Sequence, residues 1–338
     1  RPPKDRDPIP PLARRAVKAW EARDYDEALD LFERAHRGHP ENVSVLLDLA
    51  RAHLLRYHGD RARELFEQAQ RMRPLNPQVL STIAAAYAMV PRFGVAQRYY
   101  EQAVALPGCP AQAFMGLAEI YERLHAVDAG QDIIERALSL DPHNAEALCL
   151  KAKLTRRSGD MERAESLLNE ELARPARSYE ARWKDWYELA NLLDRQGRFD
   201  EAIRALTRAK QRLRKEGGRH QPSSLRTLEE NRSTRAALTQ EHLERWSEVR
   251  REDLGSAASL ALLCGHPRSG TTLLEQVLDS HPGLISADET IIMAQDVSAC
   301  LREDAGDEPP MPEVLDQLDL EAVRRYRTTY LRLTAGFL

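Results

Sequence analysis

The strongest constraint on what this chain can fold into is a repeat. Ala28, Ala62, Ala96 and Gly130 stand 34 residues apart, Phe32, Phe66, Tyr100 and Ile134 keep the same step, and so do Ala35, Ala69, Ala103 and Ala137. Pro40 and Pro74 are again 34 apart, and Pro142 lies two periods further on, with Gly108 at the skipped position. An earlier column, Ala50, Ala84, Ala118 and Ala152, has the same period. Two less regular units follow. One runs from about Ala145 with Ala164 in its second half, and the next from about Trp183 with Trp186, Ala190, Ala202 and Ala209. The step from Ala164 to Ala202 is 38, which puts a four-residue insertion near Pro175. A fixed period of this length means stacked units, because one unit alone cannot bury its apolar side.

Columns that are small, large, small and then proline at a 34-residue step resemble the tetratricopeptide repeat, and Tyr87 and Tyr121, three positions after Ala84 and Ala118, strengthen the likeness. The resemblance implies about six helix pairs over residues 9–212, wound as a right-handed superhelix with a concave groove that receives an acceptor substrate or a protein or peptide partner. Gly59-Asp60, Gly159-Asp160 and Gly197-Arg198 sit where each pair reverses direction. An aspartate after glycine is expected to cap the second helix. The alanine and aromatic columns read as packing rather than ligand contact. Arg92, Arg98, Arg156 and Arg157 are candidates for the groove, although charges on repeat helices are usually just solvated.

Charge and cysteine usage narrow the function. Lys and Arg total 49 against 53 Asp and Glu, a net charge of −4, which argues against a nucleic-acid binder held by phosphate neutralisation. With 42% hydrophobic and 30% charged residues, 16 Gly and 19 Pro, the chain is neither collagen-like nor disordered. Its apolar runs, such as residues 260–264, are far shorter than the roughly 18 residues a membrane span needs. Cys109, Cys149, Cys264 and Cys300 form no CxxC pair, so neither a disulfide framework nor a metal site is expected, and a reducing, cytoplasmic setting is the plain reading.

Gly217-Gly218, Pro222 and two serines within residues 215–224 predict a break in the helix. Residues 213–257 therefore read as a linker with bridging helices, and 258–338 as a second domain. There the pattern changes. Leu260-Ala261-Leu262-Leu263-Cys264 is consistent with a strand buried on both faces. Gly265-His266-Pro267-Arg268-Ser269-Gly270-Thr271-Thr272 follows as a loop, and Leu273 to Leu278 as a helix with Leu274, Val277 and Leu278 on one side. Strand, glycine-bearing loop and helix together make a phosphate cradle. Backbone N–H groups point inward, the helix start adds unpaired donors with partial positive charge, and Arg268 adds a full charge with a planar fork. Gly265 and Gly270 keep the glycine spacing of the nucleotide P-loop, but Thr271 stands where that motif needs lysine. The charge that reaches transferring phosphates is then missing, which counts against ATP or GTP hydrolysis.

The run Pro267-Arg268-Ser269-Gly270-Thr271-Thr272-Leu273 instead resembles the 5′-phosphosulfate loop of sulfotransferases. The stretch from Leu262 to Thr290 looks like the tyrosylprotein sulfotransferases and the bacterial sulfotransferases that carry tetratricopeptide repeats ahead of the catalytic part. That resemblance implies 3′-phosphoadenosine-5′-phosphosulfate (PAPS) as co-substrate, held by Arg268, Ser269, Gly270, Thr271, Thr272 and Leu273. It also implies Glu289, immediately before Thr290, as the base that takes the proton from the attacking hydroxyl. His266 and His281 are rival bases. Ile291, Ile292 and Gln295 stand where the peptide-sulfating enzymes carry arginines, which counts against tyrosine in acidic peptides as the acceptor.

After residue 257, helices are expected around 289–301 and 320–336, with Leu284-Ile285 as a second short strand. That is too little to close an α/β core, which needs several parallel strands with crossovers. The family's 3′-phosphate site, an Arg and a Ser, has no counterpart before Leu338. The expected fold is thus mostly α: a repeat superhelix followed by the incomplete start of an α/β, P-loop-like sulfotransferase domain, with inactivity of this stretch alone as one outcome. The alternatives are an interaction scaffold with a degenerate or truncated catalytic domain and, third, a kinase-like phosphotransferase.

Overall fold

Small residues at fixed intervals let helices approach closely, and the structure, a computed structural model, places each column where two helices meet. It describes residues 9–22, 24–174, 182–248, 260–265, 269–287, 290, 292–305 and 309–337. Six helix pairs follow one another: α1 (Pro11–Glu21) with α2 (Tyr25–Gly38), α3 (Val43–Leu55) with α4 (Gly59–Met72), α5 (Pro77–Met89) with α6 (Phe93–Val104), α7 (Ala111–Arg123) with α8 (Val127–Leu140), α9 (Ala145–Arg157) with α10 (Met161–Ala173), and α11 (Trp183–Arg195) with α12 (Phe199–Ala237). Ala28, Ala62 and Ala96 on the second helices, and Ala50, Ala84, Ala118 and Ala152 on the first, have no exposed surface. Phe32, Phe66, Tyr100 and Ile134 are buried beside them. The core is a chain of overlapping clusters, each shared by neighbouring pairs, as stacking requires.

The helix starts are pinned by a signal that the glycine-aspartate reading missed. Asn42, Asn76 and Asn144 belong to one 34-residue column; their side chains accept from the N–H of Val45 at 3.1 Å, of Gln78 and Val79 at 2.9 and 3.1 Å, and of Ala147 at 3.0 Å. Each such cap is worth about 1 kcal/mol. Asp160 caps α10 as expected, through Arg163 N–H at 3.0 Å. Asp60 does not serve as a cap: it lies inside the first turn of α4, paired with Arg63 at 2.8 Å. Successive first helices α5, α7, α9 and α11 touch one another more closely than α6, α8 and α10 do, so the array curves with its first helices inside.

Two compact units divide the chain: Arg1–Leu55 with Asp60–His220, and Arg56–Gly59 with Gln221–Leu338. The break predicted at residues 215–224 is not there, because α12 runs unbroken to Ala237. Glycine and proline cost a helix about 1 and 3 kcal/mol each, but they do not forbid it where long flanks of Ala, Leu, Arg, Lys and Glu propagate it cooperatively.

In the second unit α13 (Gln240–Ser247) starts with a capping box between Thr239 and His242. α14 (Thr271–Asp279), a π-helical turn (Met293–Ser298), α15 (Ala299–Ala305), α16 (Met311–Asp316) and α17 (Leu320–Phe337) follow. Leu301, Val314 and Tyr326 form a small core there, and Asp316 accepts from Trp246 Nε1 at 2.8 Å. The expected strands are absent among the described residues. Residues 260–264 and 284–285 have no ladder partner, and Leu260, Leu262, Leu263 and Ile285 are exposed. A strand needs a neighbour for its N–H and C=O groups, so an apolar run becomes a buried strand only where the rest of a sheet is at hand.

Candidate active site

Gly265 and Gly270 shape the loop that precedes α14. Gly270 takes a left-handed backbone, φ 89°, which turns the chain into the helix. At Gly265 the requirement is space: a Cβ there would lie 2.6 Å from both Ser269 Oγ and Thr271 Cγ2. The two ends of the loop therefore close on each other, with one hydroxyl and one methyl in contact with the Gly265 backbone. Gly270, the N-cap residue, has no side chain to offer, and among the described residues no side chain caps α14. The first turn's N–H groups, Thr271, Thr272 and Leu273, have no partner inside the helix by geometry, and the dipole makes that end attractive to anions. Ser269 and Thr272 are exposed and Thr271 half-buried, so the hydroxyls border solvent.

Of the expected site residues, the structure brings Ser269, Gly270, Thr271, Thr272 and Leu273 together at this helix start. Arg268 and Glu289 lie outside the described residues, as does His266. His281 is occupied in a turn, its Nδ1 accepting from Gly283 N–H at 3.0 Å. Asp279, the last residue of α14, accepts from Ser286 N–H at 2.8 Å and so ties the segment leading to position 289 to the far end of that helix. Amides and hydroxyls gathered at one helix start are donors from which an anion can accept, and no acid stands in the sequence from Gly265 to Leu273.

The partners of polar groups in the first unit escaped the sequence reading because only the fold brings them together. Arg156 and Arg157, candidates for the groove, both serve ion pairs: Arg156 is buried against Glu188, and Arg157 reaches Glu122 at 2.7 Å beside Lys153 at 3.0 Å. Asp185 on α11 is 2% exposed, shares a hydrogen bond with the Cys149 thiol, and its Oδ2 has no partner among the described residues. Burial pushes its carboxyl up to about 6, with the Cys149 hydrogen bond opposing and Glu171 adding to the rise. Burial and the Asp185 charge likewise push the Cys149 thiol upward. Nothing but the general rule that buried charges are costly could have flagged this pair in advance.

Comparison with known proteins defines the class. Residues 19–87 and 186–220 match tetratricopeptide-repeat families, and residues 261–330 match the sulfotransferase family. The chain thus combines tetratricopeptide repeats with a sulfotransferase-like segment. Among solved structures it is similar to PilW, a type IV pilus biogenesis factor, at 17% identity over 60% of this chain and 90% of that one, TM-score 0.46. It is similar to yeast Tom70 at 21% identity over 64% and 42%, TM-score 0.45, and to YrrB, a TPR protein with an unusual peptide-binding site, at 14% over 54% and 91%, TM-score 0.41. No curated protein gives a significant match. Among the described residues, no helix is long and apolar enough to cross a membrane.

Proposed function

We propose that the chain serves a PAPS-dependent sulfotransferase, moving a sulfuryl group to the hydroxyl of a protein, peptide or carbohydrate acceptor, with the repeats recruiting the acceptor or a partner. The observation that carries this reading is the uncapped start of α14 behind Gly265 and Gly270, inside the stretch that matches the sulfotransferase family. The amides of Thr271, Thr272 and Leu273 and the hydroxyls of Ser269, Thr271 and Thr272 would hold the 5′-phosphosulfate, and Arg268 would balance the charge that builds on the leaving phosphate. When bound, the co-substrate supplies the sulfuryl group: an O–S bond forms to the acceptor oxygen as the S–O bond to the phosphate breaks. Glu289 takes the acceptor's proton, so that adenosine 3′,5′-bisphosphate departs as the anion. Among the described residues no cysteine is in a disulfide, and a cytoplasmic setting goes with the proposal.

A second reading, an interaction scaffold with a degenerate catalytic part, is favoured by one observation: residues 260–264 are exposed and pair with no strand among the described residues. Transfer of labelled sulfur from PAPS to a panel of tyrosine peptides and glycans separates the two. The sulfotransferase reading expects product, and a loss of about 10²-fold or more in Glu289→Gln with bisphosphate affinity kept. No product with any acceptor, or full transfer by Glu289→Gln, goes against it.

A further inference from the structure

The charges on residues 202–220 of α12 are arranged unlike those on α2 and α4, and unlike the Arg226–Glu230 and Arg232–Glu229 pairs further along the same helix. On α2 and α4, arginines lean on acids one turn away: Arg34 on Asp30 at 3.2 Å, Arg61 on Glu64 at 3.0 Å, Arg63 on Asp60 at 2.8 Å. Residues 202–220 of α12 instead hold seven arginines and lysines against the single acid Glu216, a local charge of +6 within a chain of −4. Arg208, Lys210 and Arg214 have no acid three or four positions away, while Arg204 with Arg208 and Lys210 with Arg214 set like charges one turn apart. Such pairs weaken a helix by repulsion, so an anionic partner would relieve them.

These charges meet an apolar pair on one face. Phe199, Ile203, Thr207, Lys210 and Arg214 follow in steps of four, four, three and four, which places them along one side of the helix. Ala202, Ala205 and Ala209 occupy the core side. Phe199 and Ile203 are 62% and 63% exposed, and a depression of about 380 Å³ lies against Thr207, Lys210, Gln211, Leu213 and Arg214. The stripe therefore changes from apolar to cationic over about 22 Å.

We propose that this face of α12 docks an acidic, amphipathic segment of a partner polypeptide, with apolar side chains against Phe199 and Ile203 and carboxylates on Lys210 and Arg214. The asymmetry selects the partner. A duplex offers charge along its whole length with its bases held inside the stack, and a single strand can stack a base on Phe199 but leaves Ile203 uncovered. A membrane surface favours apolar and basic residues side by side along a whole helix, not separated end to end. The inference goes beyond the sulfotransferase reading and does not need it.

The test uses the full chain and a fluorescent probe peptide with a Leu/Phe block followed by a Glu block, read by anisotropy. A Glu-only peptide, a single-stranded RNA and phosphatidylserine vesicles run in parallel. The block peptide binds most tightly, the joint change Lys210→Glu and Arg214→Glu weakens it about tenfold or more, and Ile203→Ser weakens it by a smaller factor. Arg71→Glu on α4 leaves it unchanged. All four positions are solvent-facing, and circular dichroism confirms folding of each variant. Failure of the block peptide to bind, equal or tighter binding of RNA or vesicles, or indifference to the charge reversal would overturn the proposal.

Discussion

Gly116→Ala lowers the stability of the repeat array by about 3 kcal/mol, a fall of roughly 6–12 °C in Tm for a unit of this size. The cause is the position of one ring. A Cβ on Gly116 of α7 would sit 2.4 Å from both Cζ and Oη of Tyr100 on α6. Tyr100 is itself buried among Ala84, Ala103 and Ala118, so its rigid ring has nowhere to swing. The gain in helix propensity on replacing glycine, about 1 kcal/mol, is too small to offset the clash. Gly130 provides the control. A Cβ there would meet the Leu154 methyls at 3.0 and 3.4 Å, which can shift by a few tenths of an ångström, and Tyr121 Cβ at an ordinary 3.6 Å, so Gly130→Ala changes stability little. Shortening the ring with Tyr100→Leu recovers much of the loss in the Gly116→Ala background, a coupling that a double-mutant cycle reads directly. Simple additivity of the two changes would mean that the ring does not fill the space over Gly116.

Raising the pH from 4 to 7.5 weakens the α9–α11 joint by about 2 kcal/mol through Asp185, and Asp185→Asn removes that dependence. Burial first, and Glu171 next among the raising influences, lift this carboxyl from 3.8 to about 6 in the folded chain. Between those two values the folded state holds a proton that the unfolded state has released, so stability falls as pH climbs through the window and stays low above about 6. The groups facing Asp185 are Cys149 on α9, Glu171 on α10, and Arg182 and Lys184 beside it. Glu188, one turn along, is neutralised by Arg156. Trp183 and Trp186 flank the site, so urea unfolding followed by tryptophan fluorescence reports on this joint. Comparing wild type with Asp185→Asn isolates its contribution from the other carboxylates. Parallel pH profiles for the two proteins would show that Asp185 is not buried as described.

The repeat array was legible because packing wrote itself into the sequence at a fixed interval. Alanine at 28, 62 and 96 and aromatics at 32, 66 and 100 can recur only where the same two helices meet again. What the periodicity could not show was how partners complement each other across it. Gly116 answers to Tyr100, and Asp185 to Cys149, across distances in sequence that no local pattern records. The half-turn position His125, φ 61°, was hidden because the left-handed residue there is not glycine, unlike Gly159 one period later. The candidate site was half legible. Gly265 and Gly270 announced a tight loop and α14 formed where expected, but the strand ahead of it did not, because pairing is a property of two segments and the run at 260–264 speaks for only one. The unbroken α12 is the opposite error, a local breaker signal outweighed by its flanks.

The proposed grip of the loop between Gly265 and Thr272 on a phosphosulfate nucleotide is read most directly by calorimetric titration of the whole chain with adenosine 3′,5′-bisphosphate. Saturable single-site binding is expected, weakened about tenfold or more by Arg268→Ala through the lost charge-assisted hydrogen bonds. Gly265→Ala should weaken it too, because its Cβ would force Ser269 and Thr271 apart. No saturable heat from the unaltered protein, or affinity in both variants equal to that of the unaltered protein, would contradict it.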